Sequence, residues 1–308
     1  MSALALAPSL EDEVLPGTAA FYRRALQELS DAGVPFLVGG AFAHACFTGI
    51  RRSTKDLDLF IRREHYERVD SLMRAQGWRT ELAFPHWLAK VYAGEDFIDL
   101  IFNSGNGVTP VDDEWFEGNA QAQVLGVPVL IANIEDSLLS KAFIMERERF
   151  DGADIAHLVQ ANAEQLDWPR LVRRFGPHWR VLLAHLTLFG FVYPGERHRV
   201  PRWVMDTLLG RLAQETGEAP AEDPRVCAGT LLSREQYLHD IERLGYVDGR
   251  LTPLSTMTPG DVESWTEAIP ARQEEAEALA DAAVAAAPEG PVPLPVPARP
   301  RGRGFRPQ

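Results

Sequence analysis

One stretch of the sequence, residues 37–60, constrains the fold more than any other. It reads LVGGAFAHACFTGIRRSTKDLDLF: a short apolar strand ends in two glycines, a helix follows, and a basic loop leads into a strand that begins Asp56-Leu57-Asp58. Residues i and i+2 of a strand lie on one face, so the two carboxylates converge while Leu57 faces the core. Close carboxylates repel unless a cation lies between them, and Mg²⁺ prefers such oxygen ligands. The stretch therefore predicts a strand that holds a divalent cation.

The glycines and the basic loop add features that favour a phosphate ligand. Gly39 and Gly40 let the backbone approach a ligand closely, and the amides at the start of the following helix favour phosphate. The loop before the acidic strand contains Arg52, Thr54 and Lys55. Taken singly, Asp-x-Asp is more often a solvated strand face and Gly-Gly a turn. Their combination indicates a cradle for a metal-bound triphosphate.

A third carboxylate follows in a later strand. Asp99 is the only charged residue in the apolar run Phe97–Phe102. A carboxylate in such a run is costly unless it is paired or bound to a metal. The alternative is a solvent-facing residue of an edge strand. We expect Asp99 to join Asp56 and Asp58.

The pattern of elements changes near residue 133. Strand and helix patterns alternate before it, whereas helical patterns dominate after it. We therefore predict an α+β fold, in which a small mixed β-sheet with flanking helices is followed by a helical region. The predicted segments are an N-terminal extension (1–19), an α/β domain (20–133), a helical region (134–213), a C-terminal helical or mixed segment (214–272) and a disordered tail that is Ala/Glu-rich and then Pro/Arg-rich (273–308).

Individual elements are predicted in the same way. Gln123–Ile131 is predicted as one further strand. Ile134–Arg149, Pro169–Phe189 and Ser233–Leu244 are each predicted as one helix.

Composition excludes some classes of partner. The 308 residues have a net charge of −13, which argues against coating duplex DNA, because such binding needs a clustered basic surface. The longest apolar stretch, Val181–Tyr193, is too short to span a bilayer, so no membrane partner is expected. Cys46 and Cys227 lie far apart in the sequence, which favours a reducing, cytoplasmic location.

Other kinds of site find little support. His65, His86, His178 and His185 show no metal-ligand spacing with cysteine or glutamate partners, so we interpret them as core or surface histidines. The sequence contains no Walker-type loop and no Gly-x-Ser-x-Gly elbow.

The glycine pair, the run Arg-x-Thr-x-Asp-Leu-Asp and the later acidic residue resemble the nucleotidyltransferase superfamily of DNA polymerase β. Within it, the chain is most similar to the AbiEii/AbiGii-type nucleotidyltransferases of bacteria. The segment Ile134–Lys141 and its continuation to Asp154 also resemble that group. Ala41 departs from the pattern, since many members have a serine there that contacts phosphate. The resemblance covers about residues 20–165 and makes residues 20–133 the nucleotidyltransferase domain.

This resemblance implies roles for particular residues. Asp56, Asp58 and Asp99 would be the catalytic residues and the ligands of Mg²⁺ or Mn²⁺, and Asp99 would also help to deprotonate the attacking hydroxyl. The substrate would be a nucleoside triphosphate. The nucleotide-binding residues would be Gly39, Gly40, Arg52, Thr54, Lys55, Lys141 and Asp154. The alternative interpretations are an ordinary surface lysine for Lys141 and, for Asp154, an acidic residue that favours a helix N-terminus.

The expected activity is metal-dependent transfer of a nucleotidyl group to a hydroxyl acceptor, with an RNA end, a protein and a small molecule left open. One alternative is a catalytically degenerate fold that binds nucleotide or a partner without turnover. Another concerns the biological role: several relatives act as toxins in toxin–antitoxin or phage-defence systems, which would add an antitoxin as partner.

Overall fold

The computed structural model describes residues 14–52, 54–217 and 225–269. The strands are β1 (Leu37–Val38), β2 (Asp56–Phe60), β3 (Arg79–Phe84), β4 (Leu88–Ala93), β5 (Asp96–Ile101), β6 (Gln121–Val124), β7 (Val127–Leu130), β8 (Val226–Cys227) and β9 (Val247–Asp248). The α-helices are α1 (Pro16–Asp31), α2 (Gly40–Thr48), α3 (Tyr66–Ala75), α4 (Ile134–Ala142), α5 (Gly152–Asn162), α6 (Trp168–Phe175), α7 (Trp179–Val192), α8 (Arg202–Gly217) and α9 (Leu238–Glu242).

The central sheet has the order β1-β2-β5-β4-β3 and is mixed. β2 runs parallel to β5, whereas the pairs β1–β2, β4–β5 and β3–β4 are antiparallel. The alternation in β2 follows the predicted pattern, because Leu57 and Leu59 are fully buried while Asp56 and Asp58 are partly exposed. The predicted α+β class, a small mixed sheet with flanking helices, is confirmed.

The structure divides two elements that were predicted as continuous. The stretch predicted as one strand over Gln123–Ile131 is the hairpin β6–β7, because Leu125 and Gly126 both adopt positive φ, of 52° and 76°, and reverse the chain. The helix predicted over Pro169–Phe189 is α6 and α7, separated at Gly176, whose φ is 44° and which precedes a proline.

Two further helix predictions need correction, and one strand was missed. The helix predicted over Ile134–Arg149 ends at Ala142, and the helix predicted over Ser233–Leu244 covers only Leu238–Glu242. Strand β3 was not predicted. Its residues are mostly half-exposed, so the apolar signal of a buried strand is weak there.

The two larger apolar cores of the described residues lie on either side of residue 133. The first contains α1, α2, α3 and the inner face of the sheet, and the second contains α4 to α8. A smaller cluster contains Trp115 and Phe60. The described residues up to Thr266 nevertheless form one compact unit. The predicted boundaries near residues 133 and 213 stay predictions.

A buried ion-pair network joins the sheet region to the helices. Asp136 on α4 is fully buried and accepts from Arg170 at 2.7 Å, and it pairs with Arg174 at 3.3 Å. Arg174 also donates to Asp112, in the loop after β5, at 2.7 Å. Buried charges of this kind are tolerated when each has partners, so the network fixes α4 and α6 against that loop.

The remaining predictions concern the ends of the chain and membrane-spanning helices. Residues 1–13 of the predicted N-terminal extension, residues 218–224 and the predicted disordered tail (273–308) lie outside the described residues. Among the described residues, no helix is both long and apolar enough to cross a bilayer.

The fold predicts a large stability loss for Trp115→Ala. Trp115 is completely buried, contacts Phe60 of β2 with ring centroids 4.6 Å apart, and donates its indole N–H to Pro110 O at 3.1 Å. We expect Trp115→Ala to lower the free energy of unfolding by about 3–5 kcal/mol in a urea titration. The control Trp203→Ala, whose side chain is 45% exposed, is expected to cost less than about 1 kcal/mol. Equal losses would contradict this packing.

Candidate active site

Three carboxylates meet on one face of the central sheet. Asp56 and Asp58 lie on β2 and Asp99 lies on β5, and the parallel register places Asp58 directly beside Asp99. One oxygen of each carboxylate lies within 4.8 Å of the others. We call these three residues the acid triad. The sequence predicted this grouping, and the roles of the three residues as catalysts and metal ligands stay predictions.

The electrostatics of the acid triad favour a cation. Burial, together with the charges of Asp56 and Asp99, raises the pKa of Asp58 to about 7, although Lys141 and Arg149 oppose the rise. Burial also raises the pKa of Asp99, against the lowering effect of Lys90. Like charges held together in a site of low dielectric are relieved by a proton or by a metal ion.

The two glycines leave space next to the acid triad. Gly40 has φ of 54°, and a Cβ atom there would overlap Oδ2 of Asp58. Gly39 donates its N–H to Asp58 O at 2.9 Å, and a Cβ atom on it would overlap the ring of Phe60. Position 40 requires a positive φ and the absence of a Cβ atom, and only glycine meets both requirements. The start of α2 therefore lies directly against the carboxylate of Asp58.

The three predicted residues of the loop before β2 differ in their exposure and in their hydrogen-bond and ion-pair partners. Thr54 donates its hydroxyl to Asp56 Oδ1 at 2.6 Å, so it orients a carboxylate of the triad. Lys55 has an exposed side chain, and its backbone carbonyl accepts from the buried Tyr22 at 3.2 Å. Arg52 is half-exposed and forms an ion pair with Asp154 Oδ1.

Lys141 belongs to a chain of alternating charges on α4 and α5. Its Nζ donates to Asp154 Oδ2 at 2.9 Å and lies 3.4 Å from Asp151 Oδ2. Arg149 holds Asp151 through two hydrogen bonds of 2.9 and 3.0 Å. Burial alone would raise the pKa of Asp154, but the hydrogen bond from Lys141 and the nearby cations lower it below its ordinary value. Asp154 is therefore an anion that positions Lys141 and Arg52.

Lys90 is a neighbour of the acid triad that the sequence analysis missed. It lies opposite Asp99 in the β4–β5 register, and its Nζ donates to Asp99 Oδ1 at 2.6 Å. The available signal was a single lysine within the otherwise apolar run Leu88–Tyr92. Pairing it with Asp99 required the strand register, which residue patterns alone do not provide.

Two histidines near Asp154 were also missed. His44 on α2 and His157 on α5 form, with Asp154, a second group whose ligand atoms lie within 4.8 Å of one another. Burial lowers the pKa of His44 to about 4, although the charge of Asp154 opposes this. The i, i+3 spacing of Asp154 and His157 was a usable signal, because it places both on one helix face.

Comparisons with known proteins agree with this architecture. The model of a family described as uncharacterised nucleotidyltransferase matches residues 19–183, which is more than half of the chain. No curated protein matches the sequence at a significant level. The family match does not extend to the AbiEii-type subfamily, so that finer resemblance stays a prediction.

Several solved structures are similar to this fold. The antibiotic-resistance factor ANT(2'')-Ia is 16% identical, with 65% of this chain and 95% of that chain covered and a TM-score of 0.32. The lincosamide antibiotic adenylyltransferase LnuA, bound to lincomycin, is 16% identical, with 47% and 96% covered and a TM-score of 0.34. An antigenic nucleotidyltransferase-like protein from Paracoccidioides brasiliensis is 13% identical, with 64% and 88% covered and a TM-score of 0.34. Likenesses this distant carry no argument about substrates.

The close contact between Gly40 and Asp58 predicts that Gly40→Ala selectively weakens ligand binding. The variant combines an unfavourable positive φ with an overlap on Asp58, so we expect Mg²⁺-nucleotide affinity, measured by calorimetry, to fall about tenfold or more. Gly33→Ala is the matched control, because Gly33 has φ of 63° but open space around its Cβ position. That control should lose about 1–2 kcal/mol of stability and keep its affinity. Equal affinity losses would contradict a cradle at Gly40.

The raised pKa of Asp58 predicts how pH affects stability without metal. In the unfolded chain this carboxyl titrates near 3.8, whereas in the folded protein its pKa is about 7. Between these values the folded state binds more protons, so its stability falls as the pH rises. Asp58→Asn mimics the neutral acid. In chelator, we expect the Tm of this variant to gain progressively on wild type from about pH 4 to pH 7. A Tm difference that does not change with pH would contradict the shift.

Proposed function

The chain belongs to the family of uncharacterised nucleotidyltransferases, and on that premise we propose that it moves a nucleotidyl group from a nucleoside triphosphate to a hydroxyl acceptor with the help of Mg²⁺ or Mn²⁺. The observation that carries the proposal is the acid triad. One oxygen from each of three carboxylates, on two neighbouring parallel strands, lies within 4.8 Å of the others. Gly40 lies beside them, at a position where a Cβ atom would overlap the carboxylate of Asp58.

The donor set fits Mg²⁺ or Mn²⁺. Carboxylate oxygens are the protein ligands that these ions prefer when they also bind phosphate oxygens. Asp56 and Asp58 would hold the ion that grips the triphosphate, and Asp99 would complete a second position. When bound, the ion neutralises charge that develops on the phosphate during transfer.

The basic residues around the acid triad suit the triphosphate. Arg52 and Lys141 would contact phosphate oxygens, while Asp154 keeps both side chains in place. The backbone amides after Gly39 would donate to phosphate at the start of α2. Thr54 acts indirectly, because its hydroxyl is committed to Asp56.

The proposed reaction is an in-line displacement at the α-phosphorus of the nucleoside triphosphate. The acceptor oxygen forms a bond to the α-phosphorus, and the bond from that phosphorus to the bridging oxygen of the β-phosphate breaks, so pyrophosphate leaves. Asp99 accepts the proton of the attacking hydroxyl. Its Oδ1 is held by Lys90, which fixes the direction of the other oxygen.

The acceptor remains to be chosen by experiment among an RNA end, a protein and a small molecule. The acidic composition argues against a protein that coats duplex DNA. A toxin role with an antitoxin partner is the further proposal that follows from the AbiEii-type resemblance, and a cytoplasmic location accompanies it. Co-purification of the chain with the product of a neighbouring gene would test that role.

Lys90 supports one competing function. Its ammonium lies 2.6 Å from Asp99 Oδ1, where it neutralises the third carboxylate without a metal ion. A fold that binds nucleotide without turnover would keep this pair closed. Binding of nucleotide without transfer to any acceptor would favour this alternative.

The proposal predicts metal-dependent label transfer that needs the acid triad. Purified protein is incubated with α-labelled NTPs, Mg²⁺ and, in separate reactions, total RNA, protein and small-molecule extracts. We expect Asp56→Asn/Asp58→Asn to reduce transfer about 100-fold or more, because it removes the ligands of an ion that stabilises the transition state by several kcal/mol. The control Asp31→Asn changes an exposed carboxyl at the end of α1 and should retain activity.

Thermal shift with Mg²⁺ and NTP separates the outcomes. Stabilisation of wild type but not of the double variant, without transfer, would leave the nucleotide site in place and favour the binding alternative. Stabilisation of neither protein, together with no transfer, would contradict the proposed site.

A further inference from the structure

A second group of ligand-forming side chains lies between α2 and α5, close to Lys141. His44 lies on α2, and Asp154 and His157 lie on one face of α5, which packs against α2. One ligand atom of each residue lies within 4.8 Å of those of the other two, and the imidazole ring centroids are 6.3 Å apart. We call these three residues the histidine site.

The contacts of His44 are best satisfied by one tautomer. The hydroxyl of Thr48 donates to His44 O at 2.7 Å, and its oxygen lies 3.3 Å from His44 Nδ1. With the hydroxyl proton used in this way, the tautomer that carries its proton on Nδ1 donates it to Thr48. In that tautomer Nε2 is an acceptor without a partner.

The two imidazoles of the histidine site each have a nitrogen without a hydrogen-bond partner, whereas the carboxylate of Asp154 is held by Arg52 and Lys141. His44 is 3% exposed, and its Nε2 lies 3.8 Å from Asp154 Oδ1. His44 Nε2 and His157 Nδ1 are both enclosed and have no hydrogen-bond partner among the described residues. Buried polar atoms are usually paired, so the unpaired Nε2 of His44 beside Asp154, in a cluster where His157 also has an unpaired nitrogen, points to a missing cation.

We propose that His44, Asp154 and His157 form a binding site for a transition-metal cation of the Zn²⁺ type, separate from the acid triad. Two imidazoles and one carboxylate are a donor set that Zn²⁺ and similar ions prefer, whereas three carboxylates suit Mg²⁺ or Mn²⁺. Three protein ligands also leave a fourth position for water or a ligand. This inference does not depend on the proposed transfer activity.

Outer contacts already orient two of the three ligands. Thr48 holds the ring of His44 through Nδ1, and Lys141 holds Oδ2 of Asp154 at 2.9 Å, which leaves Oδ1 for the cation. Arg52 also contacts Oδ1, but its side chain is 46% exposed and projects from the loop before β2. It can leave Oδ1 without burying an unpaired charge. The carboxylate of Asp151, 3.4 Å from Lys141, offsets part of the added positive charge.

The geometry requires only a small contraction. Tetrahedral bonds of about 2.0–2.1 Å place ligand atoms about 3.3 Å apart, compared with up to 4.8 Å in the structure. His157 is the least buried of the three ligands, so its side chain is the one that would move toward the other two.

Titration of the chelator-treated full chain with Co²⁺, in excess Mg²⁺, tests the proposal. Co²⁺ replaces Zn²⁺ at such sites and gives intense visible bands when it is tetrahedral. We expect these bands to reach saturation at one Co²⁺ per chain and to be removed by Zn²⁺ but not by Mg²⁺. His44→Gln and His157→Gln should each weaken binding by more than the roughly 10- to 100-fold loss that removal of an outer-shell partner causes.

Two controls keep the result interpretable. His239→Gln changes an exposed histidine on α9 and should leave the Co²⁺ bands unchanged. Asp56→Asn/Asp58→Asn removes the acid triad and should also leave them unchanged, so failure of the transfer proposal is distinguishable from failure of this one. His157 is less buried than His44, so His157→Gln tests the site even when His44→Gln does not fold.

The proposal is overturned by any of three results. These are that wild type gives only the weak bands of octahedral Co²⁺, that Mg²⁺ removes the bands by competition, or that both histidine variants bind Co²⁺ like wild type. In each case the two unpaired nitrogens would not belong to a metal site.

Discussion

The repulsion among three carboxylates on one face of the sheet is the constraint on which the rest of the site depends. Parallel pairing of β2 with β5 places Asp58 next to Asp99, and burial raises the pKa of Asp58 to about 7. A protein keeps such a costly arrangement only where a cation or a proton offsets it. Position 40 must be glycine for the same reason, because a side chain there would occupy the space that the carboxylate uses. The strand order, the tight start of α2 and the charge of the site are therefore linked.

The basic side chains near the acid triad are held in place by neighbouring carboxylates. Asp154 and Asp151 hold Lys141, and Asp154 also holds Arg52, so these cations are already oriented for the phosphate contacts that we propose. Side chains fixed in this way lose little conformational freedom on binding, which favours tight and directed contacts. The same carboxylate of Asp154 is one of the three ligands of the histidine site, so a cation there would compete with Arg52 for one oxygen. The two proposals therefore meet at a single residue while resting on different donor sets.

Local sequence patterns predicted part of this site and missed the rest for physical reasons. Asp99 was recognisable as the one charge in an apolar strand, since burying an unpaired carboxylate is costly. Its partner Lys90 was not, because pairing depends on the register between strands. The hairpin at Gly126 was missed because a two-residue turn with positive φ interrupts a run that otherwise resembles one strand. His44 and His157 lie far apart in the sequence and meet only because α2 packs against α5. The mixed sheet with flanking helices was predictable, whereas contacts between distant elements were not.

The most direct test of the central claim locates the cation itself. Crystals grown with Mn²⁺ and a non-hydrolysable nucleoside triphosphate would be measured at the manganese absorption edge. We predict an anomalous peak bound to carboxylate oxygens of Asp56 and Asp58, with the triphosphate on its other side near Gly40. Anomalous density only at other positions, or a bound triphosphate with no Mn²⁺ at these carboxylates while Lys90 remains paired with Asp99, would contradict the claim that the acid triad is a metal centre.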